Sequence, residues 1–312
     1  PLTKVLRNHI TSGQPRKRII IAVLLDSYGC GGYRHFMDAR NRHNLPFLKM
    51  HGLGNDFVVI DARERNIELS DKIISGIADR HFGVGFDQLA VISTGESDAH
   101  LSFYNSDGSE SFACGNATRC IARYLMDESS NENLTLTTKH GTIPAVDLGN
   151  GFISVNMGQP QLEWDKVPLS ENIQTLELPI EGSPTATGMG NPHCTFFVED
   201  AEKINLEEMG PKFENHHLFP ERTNVQFASI SAPDQIRMRV WERGVGVTLA
   251  SGSSSCATAV AANRRGLTGK KVQIKLDGGV LNINWSEDGV WMTGPTMHVF
   301  TGSFSEEFLN SL

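Results

Sequence analysis

Long hydrophobic runs are missing from this chain of 312 residues; the longest, Ile19 to Leu25, has seven. A membrane-spanning helix needs about 20, so no membrane partner is expected. An excess of positive charge is missing too. The 28 basic residues stand against 36 acidic ones, a net charge of −8, the reverse of the basic face by which proteins hold nucleic acid. Cysteine is sparse and irregular, five in all. An odd number without paired spacing excludes a secreted disulfide framework and favours a cytoplasmic chain with reduced thiols. What is abundant is glycine, with 30 residues, beside 39% apolar residues. That sum lies in the ordinary globular range, which excludes disorder and a collagen-like or coiled-coil filament. The length allows about two domains.

Several chemical signatures are also lacking. Cys114, Cys120, His193, Cys194 and Cys256 have no Cys-x-x-Cys or His-Glu-x-x-His spacing, so no metal site is expected. Gly83-Val84-Gly85 and Gly244-Val245-Gly246 extend to neither a dinucleotide nor a phosphate loop. Ser251, Ser253, Ser254 and Ser255 lack a Gly-x-Ser-x-Gly elbow. His216 and His217 fall in a polar loop and read as solvated. Arg16-Lys17-Arg18 before Ile19 imitates a signal peptide, but Asp26 ends the run at once and no small-x-small cleavage site follows. Residues 1–45 are read as an appendage or extended N-terminus, with Met37 and Met50 as alternative starts.

What remains is a chain that repeats itself. Gly52-Leu53-Gly54-Asn55 leads into the run Asp56 to Asp61, and Gly188-Met189-Gly190-Asn191 leads into Pro192 to Asp200. From Asn55 it is 33 residues to Gln88, and from Asn191 it is 33 to Asn224. Cys114 lies 59 residues after Asn55, and Ser251 lies 60 after Asn191. Nine residues before Cys114 stands Asn105; nine before Ser251 stands Glu242. Four matched positions at near-constant spacing imply two homologous halves, 46–158 and 159–298, with a C-terminal tail, 299–312, that returns to the first half.

Short runs rich in β-branched and aromatic residues predict strands at Phe57–Ile60, Ala90–Ile92, Leu134–Thr137, Ile153–Val155, Thr195–Val198, Gln235–Val240, Val272–Leu276 and Leu281–Trp285. Helices are predicted at Asp71–Asp79, Asn116–Met126 and Ser253–Arg264. The fold class is therefore α+β, two pseudo-two-fold halves facing each other across a ligand cleft.

The matched positions carry mostly amides, Asn55, Gln88, Asn105, Asn191 and Asn224, beside Glu242 and Arg243. Amides suit a zwitterion, because their oxygens accept from an ammonium and their nitrogens donate to carboxylates. Glu242 is placed to meet an ammonium, and Arg243 to clamp a carboxylate. Cys114 and Ser251 precede predicted helix starts, where free N–H groups stabilise an anion. That setting is expected to lower the Cys114 pKa below its free value of about 8.5, making it a base or nucleophile. A small buried hydrophobe is the other reading of Cys114.

With these residues in place the sequence resembles the diaminopimelate epimerase family of cofactor-independent amino-acid racemases. The resemblance runs from about Leu45 to the C-terminus, through Met50-His51-Gly52-Leu53-Gly54-Asn55-Asp56-Phe57, Gly85-Phe86-Asp87-Gln88, Asn105-Ser106-Asp107-Gly108-Ser109-Glu110 and Cys114-Gly115-Asn116. It continues through Gly190-Asn191-Pro192-His193, Glu221-Arg222-Thr223-Asn224 and Trp241-Glu242-Arg243-Gly244-Val245-Gly246. It implies two halves, each a barrel-like sheet around a central helix, a homodimer, no cofactor, and interconversion of LL- and meso-2,6-diaminopimelate for lysine and peptidoglycan precursors. It further implies two cysteines on opposite faces of the substrate α-carbon, the first of them Cys114. Substrate contacts carried over are Asn55, Gln88, Asn105, Gly115, Asn116, Asn191, Asn224, Glu242, Arg243, Gly252 and Ser253, with His193 and Glu242 tuning the chemistry.

One departure stands out: the family's second cysteine falls at Ser251, and Val247 stands where the family often has glutamate. A serine hydroxyl is a far weaker acid than a thiol, and by sequence no base adjoins it. Deprotonation by Cys114 is expected to survive, with proton exchange on the other face slowed or dependent on water. The alternatives are a one-base, dehydratase-like enzyme and a catalytically silent amino-acid-binding protein.

Overall fold

The computed structural model describes residues 44–111 and 114–312. The signal-like run, and the expected appendage up to residue 43, lie outside the described residues. A hairpin opens the first half: β1 (Leu45–Gly52) and β2 (Asn55–Asp61) pair antiparallel with Gly52 opposite Asn55. The two-residue turn has φ 58° at Leu53 and 85° at Gly54, the left-handed pair that matches strand twist in tight hairpins. A leucine there is strained. The turn is held because Leu53 lies against Gly278 and Gly279, and Gly54 lies against Leu249, all from the second half.

From β2 the chain crosses through α1 (Asp71–Ala78) to a parallel β3 (Gln88–Ser93), then turns back as β4 (Ala99–Asn105) and the short β5 (Glu110–Ser111). After α2 (Gly115–Ser129) come β6 (Asn133–Thr138), parallel to β4, and the meander β7 (Gly141–Asp147) and β8 (Phe152–Asn156). The second half repeats this order and these directions. It comprises β9 (Thr185–Gly188), β10 (Pro192–Phe197), α3 (Leu206–Glu214), β11 (Asn224–Ala232), β12 (Gln235–Glu242) and β13 (Gly246–Val247), then α4 (Gly252–Arg264), β14 (Lys271–Lys275), β15 (Val280–Ser286) and β16 (Gly289–Pro295). Again the second and third strands are parallel, as are the fourth and sixth.

Among the described residues one ladder ties the halves into one continuous sheet, and one further strand crosses between them. The last strands of the repeats, β8 and β16, pair antiparallel, and β17 (Met297–Phe304) crosses back to pair with β1, before the short α5 (Glu306–Ser311). Among the described residues no ladder joins β8 back to β1 or β2, so the pairing of the first half stays open.

The helices α2 and α4 lie inside their halves. α2 is packed by β1, β2, β6, β7 and β8, and α4 by β9, β10, β11, β14, β15 and β16. Their buried faces, among them Ala117, Ile121, Leu125, Ala257 and Val260, share one core with both sheets. Burying residues such as these is worth about 1.5–3 kcal/mol for each large side chain, which outweighs the modest propensity of so short a helix. Two smaller cores cover the outer sheet faces, one under α1, α5 and β17, the other under α3. The predicted strands and helices all fall on observed ones, with Val198, Leu276 and Asp79 just outside. No helix of the described residues is long and apolar enough to cross a membrane.

Candidate active site

Every matched position lies at the same end of its half. Asn55 starts β2 and Asn191 immediately precedes β10; Gln88 starts β3 and Asn224 starts β11; Asn105 ends β4 and Glu242 ends β12. Parallel second and third strands with an antiparallel fourth put two strand starts and one strand end on one rim. The following helix begins there too, with Cys114 as N-cap of α2 and Ser251 as N-cap of α4. Each helix start is closed in the same way: the Thr118 hydroxyl donates to the Cys114 carbonyl at 2.9 Å, and the Ser255 hydroxyl to the Ser251 carbonyl at 2.8 Å. The two starts converge on Met292. A Cβ on Gly115 would sit 2.6 Å from its Cε, and one on Gly252 2.9 Å from its Sδ.

On the first rim, Asn55 is pinned at both ends. Its Nδ2 donates to Asp87 Oδ2 at 2.9 Å, and its Oδ1 accepts from Asn116 Nδ2 at 3.1 Å and faces Cys114 Sγ at 3.8 Å. Asn116 Nδ2 also reaches the Ala250 carbonyl of the other half at 3.4 Å. Gln88 Nε2 donates to Asn105 Oδ1 at 3.3 Å and to Ser111 Oγ at 2.9 Å. The half-buried Cys114 sulfur accepts from Ala117 N–H at 3.4 Å. That single amide does not win. Burial pushes the thiol up to about 12, the Ala117 N–H pulls the other way, and the Glu242 carboxylate adds to the rise. The expectation of a lowered thiol pKa is thus corrected, because desolvation outweighs the helix terminus.

The second rim supplies what the sequence did not show. Ser251 Oγ lies 2.8 Å from Glu242 Oε2, and the Thr248 hydroxyl donates to Glu242 Oε1 at 2.5 Å. Burial raises the Glu242 carboxyl above its ordinary range, while these two hydroxyls oppose the rise. The expectation that no base adjoins Ser251 is therefore corrected: the β12–β13 hairpin folds Glu242 back onto the start of α4. Ser251 and Ser254 hydroxyls are 2.9 Å apart. Since Ser251 has one proton and gives it to Glu242, Ser254 donates the bond between them.

His193 is fully buried. Burial, with the Arg243 charge behind it, lowers its pKa to about 3, so the ring is neutral. Gln226 Nε2 donates to its Nδ1 at 3.0 Å, which assigns the ring proton to Nε2, donating to Asn191 Oδ1 at 2.8 Å. Gln226 Nε2 also donates to Ser254 Oγ at 3.0 Å, so one row of polar groups runs from Glu242 to Asn191. Asn224 is turned inward, its Nδ2 to the Pro192 carbonyl at 3.0 Å and its Oδ1 accepting the Arg243 N–H at 3.0 Å. The half-buried Arg243 donates through Nη1 to the Glu221 carbonyl at 3.1 Å. Gly252 and Ser253 form the first turn of α4. His216 is half-buried rather than solvated; its Nδ1 accepts the Leu218 N–H at 3.3 Å, and burial lowers its pKa.

Sequence reasoning missed Asp87, Gln226, Thr248 and Ser254. Gln226 and Ser254 carried a signal, two residues after Asn224 on a strand and three after Ser251 on a helix, which are the same-face spacings. Asp87 and Thr248 had none beyond their nearness to Gln88 and Ser251.

The family model described as diaminopimelate epimerase matches residues 47–163 and 185–299, one segment in each half. The chain belongs to the diaminopimelate epimerase family. A relative from Acidiphilium cryptum, named diaminopimelate epimerase, is 49% identical over 271 residues, covering 85% of this chain and 98% of the relative. One of the same name from Rhodospirillum centenum is 49% identical, covering 84% and 93%. Among solved structures, a hydroxyproline epimerase from Agrobacterium vitis superposes with a TM-score of 0.61 at 12% identity, covering 85% of this chain and 94% of its own. A Bacillus anthracis protein of the phenazine biosynthesis PhzF family gives 0.61 at 15% identity, covering 83% and 98%. At such identities the likeness shows the fold, a two-domain α+β architecture.

Proposed function

We propose that this chain is a cofactor-independent epimerase interconverting LL- and meso-2,6-diaminopimelate, acting in lysine and peptidoglycan precursor synthesis. The observation that carries this reading is the pairing of Cys114 and Ser251 at equivalent helix starts on facing halves, with family membership supplying the substrate. The halves, 46–158 and 159–298 with the tail 299–312, act as two barrel-like walls around their helices, in a cytoplasmic homodimer.

Asn55, Gln88, Asn105 and Asn191 hold the zwitterion, Glu242 meets its ammonium, and Arg243, with the N–H groups of Gly115, Asn116, Gly252 and Ser253, holds carboxylate. In the reacting state Glu242, whose burial raises its carboxyl pKa, carries a proton, and this removes the charge that disfavours the Cys114 thiolate. Cys114 takes the α-proton: the Cα–H bond breaks, an S–H bond forms, and the electron pair rests on Cα beside its carboxylate. On the far face Ser251 gives its hydroxyl proton to Cα and regains one from protonated Glu242, which is left as carboxylate. Neutral His193 and Ser254 keep the Ser251 oxygen oriented.

The deciding experiment is proton NMR of the protein with LL-diaminopimelate in D2O, following α-hydrogen loss and meso product together. Exchange with inversion is expected, and Cys114→Ala should abolish both. Exchange with retained configuration would replace this reading by one-base chemistry. Ligand-induced stabilisation without exchange would leave a binding protein.

A further inference from the structure

Arg119, on α2, is fully buried. Its Nη1 donates to Asn116 Oδ1 at 2.9 Å and lies 3.3 Å from Met292 Sδ, whereas its Nε and Nη2 have no partner. Among the described residues no carboxylate forms an ion pair with it. Room for the guanidinium comes from one glycine of each half. A Cβ on Gly52 at the end of β1 would lie 3.0 Å from Nη2, and one on Gly294 of β16 would lie 3.2 Å from it. The fold thus keeps an uncompensated cation between the two helix starts, where an apolar side chain of similar volume would usually be as stable or more so.

The groups that share this interior with Arg119 are thiols. Cys114 and Cys120 belong to its own helix and Cys256 to α4; the facing carboxylate beyond Cys114 is Glu242 of β12. Cys120 and Cys256 are buried in the apolar core, and of these three thiols only Cys114 is partly exposed. Through Asn116 the guanidinium also touches the amide of Asn55, which faces the Cys114 sulfur. We propose that Arg119 is the internal counter-ion of Cys114, a positioning residue whose charge holds the thiolate that proton abstraction requires. Its partner is absent from the resting network because the anion exists only when Cys114 is ionised.

The proposal rests on Cys114 being the proton-abstracting group, and its test separates it from the choice of substrate. Arg119→Met removes the charge at similar length, and Arg119→Lys keeps it. Cys114 alkylation by iodoacetamide at one mildly alkaline pH, located by peptide mass, needs no substrate. In Arg119→Met its rate should fall about tenfold or more, the loss of a charge that favours the thiolate. The kcat for diaminopimelate should fall about tenfold or more with KM nearly unchanged, the melting temperature should hold or rise, and Arg119→Lys should keep the native alkylation rate. An unchanged rate in Arg119→Met overturns the proposal. So does a lower melting temperature with unchanged kcat, the mark of a purely structural residue. Should Arg119→Met not fold, Arg119→Lys still decides, since a rate that falls despite the retained charge also overturns it. If the wild type leaves diaminopimelate untouched while the alkylation rate falls as expected, the substrate assignment fails and the counter-ion stands.

Discussion

Replacing Ser251 by cysteine should move stability and turnover in opposite directions. The serine hydroxyl is buried and lies 2.8 Å from Glu242 Oε2. A hydrogen bond to a charged group contributes about 1.5–3 kcal/mol, and a thiol is a weak donor that forfeits most of it. The larger, more apolar sulfur recovers roughly 0.8 kcal/mol through burial. Ser251→Cys should therefore destabilise the fold by about 1–2 kcal/mol, read by urea unfolding. The chemistry runs the other way. Ser251 exchanges a proton only in step with Glu242, whereas a thiol, the far stronger acid, has its own proton to give, and a well-matched general acid is worth about 10²–10⁴ in rate. Inversion of LL-diaminopimelate in D2O should rise at least 100-fold at the low end of that range, while the first α-hydrogen exchange at Cys114 changes little. Inversion that stays level or falls, with normal exchange at Cys114, would refute the reasoning that Ser251 limits the second face.

The remaining predictions concern pH and the cleft. Because burial lowers the His193 pKa to about 3, the unfolded chain binds the extra proton. The stability this residue protects is complete above the unfolded value near 6.5 and is lost as pH falls toward 3. Between pH 7 and 5 the loss should be about 2 kcal/mol, and His193→Gln should flatten it; urea midpoints of the two proteins running parallel over that range would contradict this. Gly278→Ala places a Cβ 2.0 Å from the Leu53 carbonyl oxygen, which the backbone cannot yield cheaply. Melting should show a loss of about 3 kcal/mol, and substrate titration a raised KM as the Leu53–Gly54 turn is forced off the second half. A wild-type melting temperature would show the contact to be soft.

Much of this was legible because duplication writes the same signal twice. Asn55 with Asn191, Gln88 with Asn224, and Asn105 with Glu242 proved to occupy equivalent strand ends, since spacing survives wherever the strand order does. Strands rich in β-branched residues, such as Phe57–Ile60, were also visible. β4 was overlooked although Ala99–Asn105 carries the alternating signal, with Ala99, Leu101 and Phe103 buried and His100 and Ser102 between them; α3 was not visible, because Pro211 interrupts the helix without ending it. The contact of Glu242 with Ser251 escaped because Gly244 and Gly246, at φ 74° and 103°, announce a bend but not which side chain it brings to the start of α4. Helix-terminus chemistry predicted the wrong direction for Cys114, because burial is a property of the whole fold and one N–H is not. Arg119 hid as an ordinary helical cation in Ala117-Thr118-Arg119-Cys120, distinguishable only once its neighbours proved to be core.

The return of β17 to β1 has a consequence for synthesis. Leu45 pairs with Phe304, and Phe47 stacks on the Phe304 ring with centroids 4.3 Å apart. The opening strand of the first half thus waits until a strand that follows the whole second half has left the ribosome before its edge and its apolar side are covered. Among the described residues no ladder joins the second half, from β9 to β16, to anything that follows Pro295. Domains usually fold in the order they emerge. Here the half made first is finished last, and until then β1 offers an unpaired edge to any neighbouring chain.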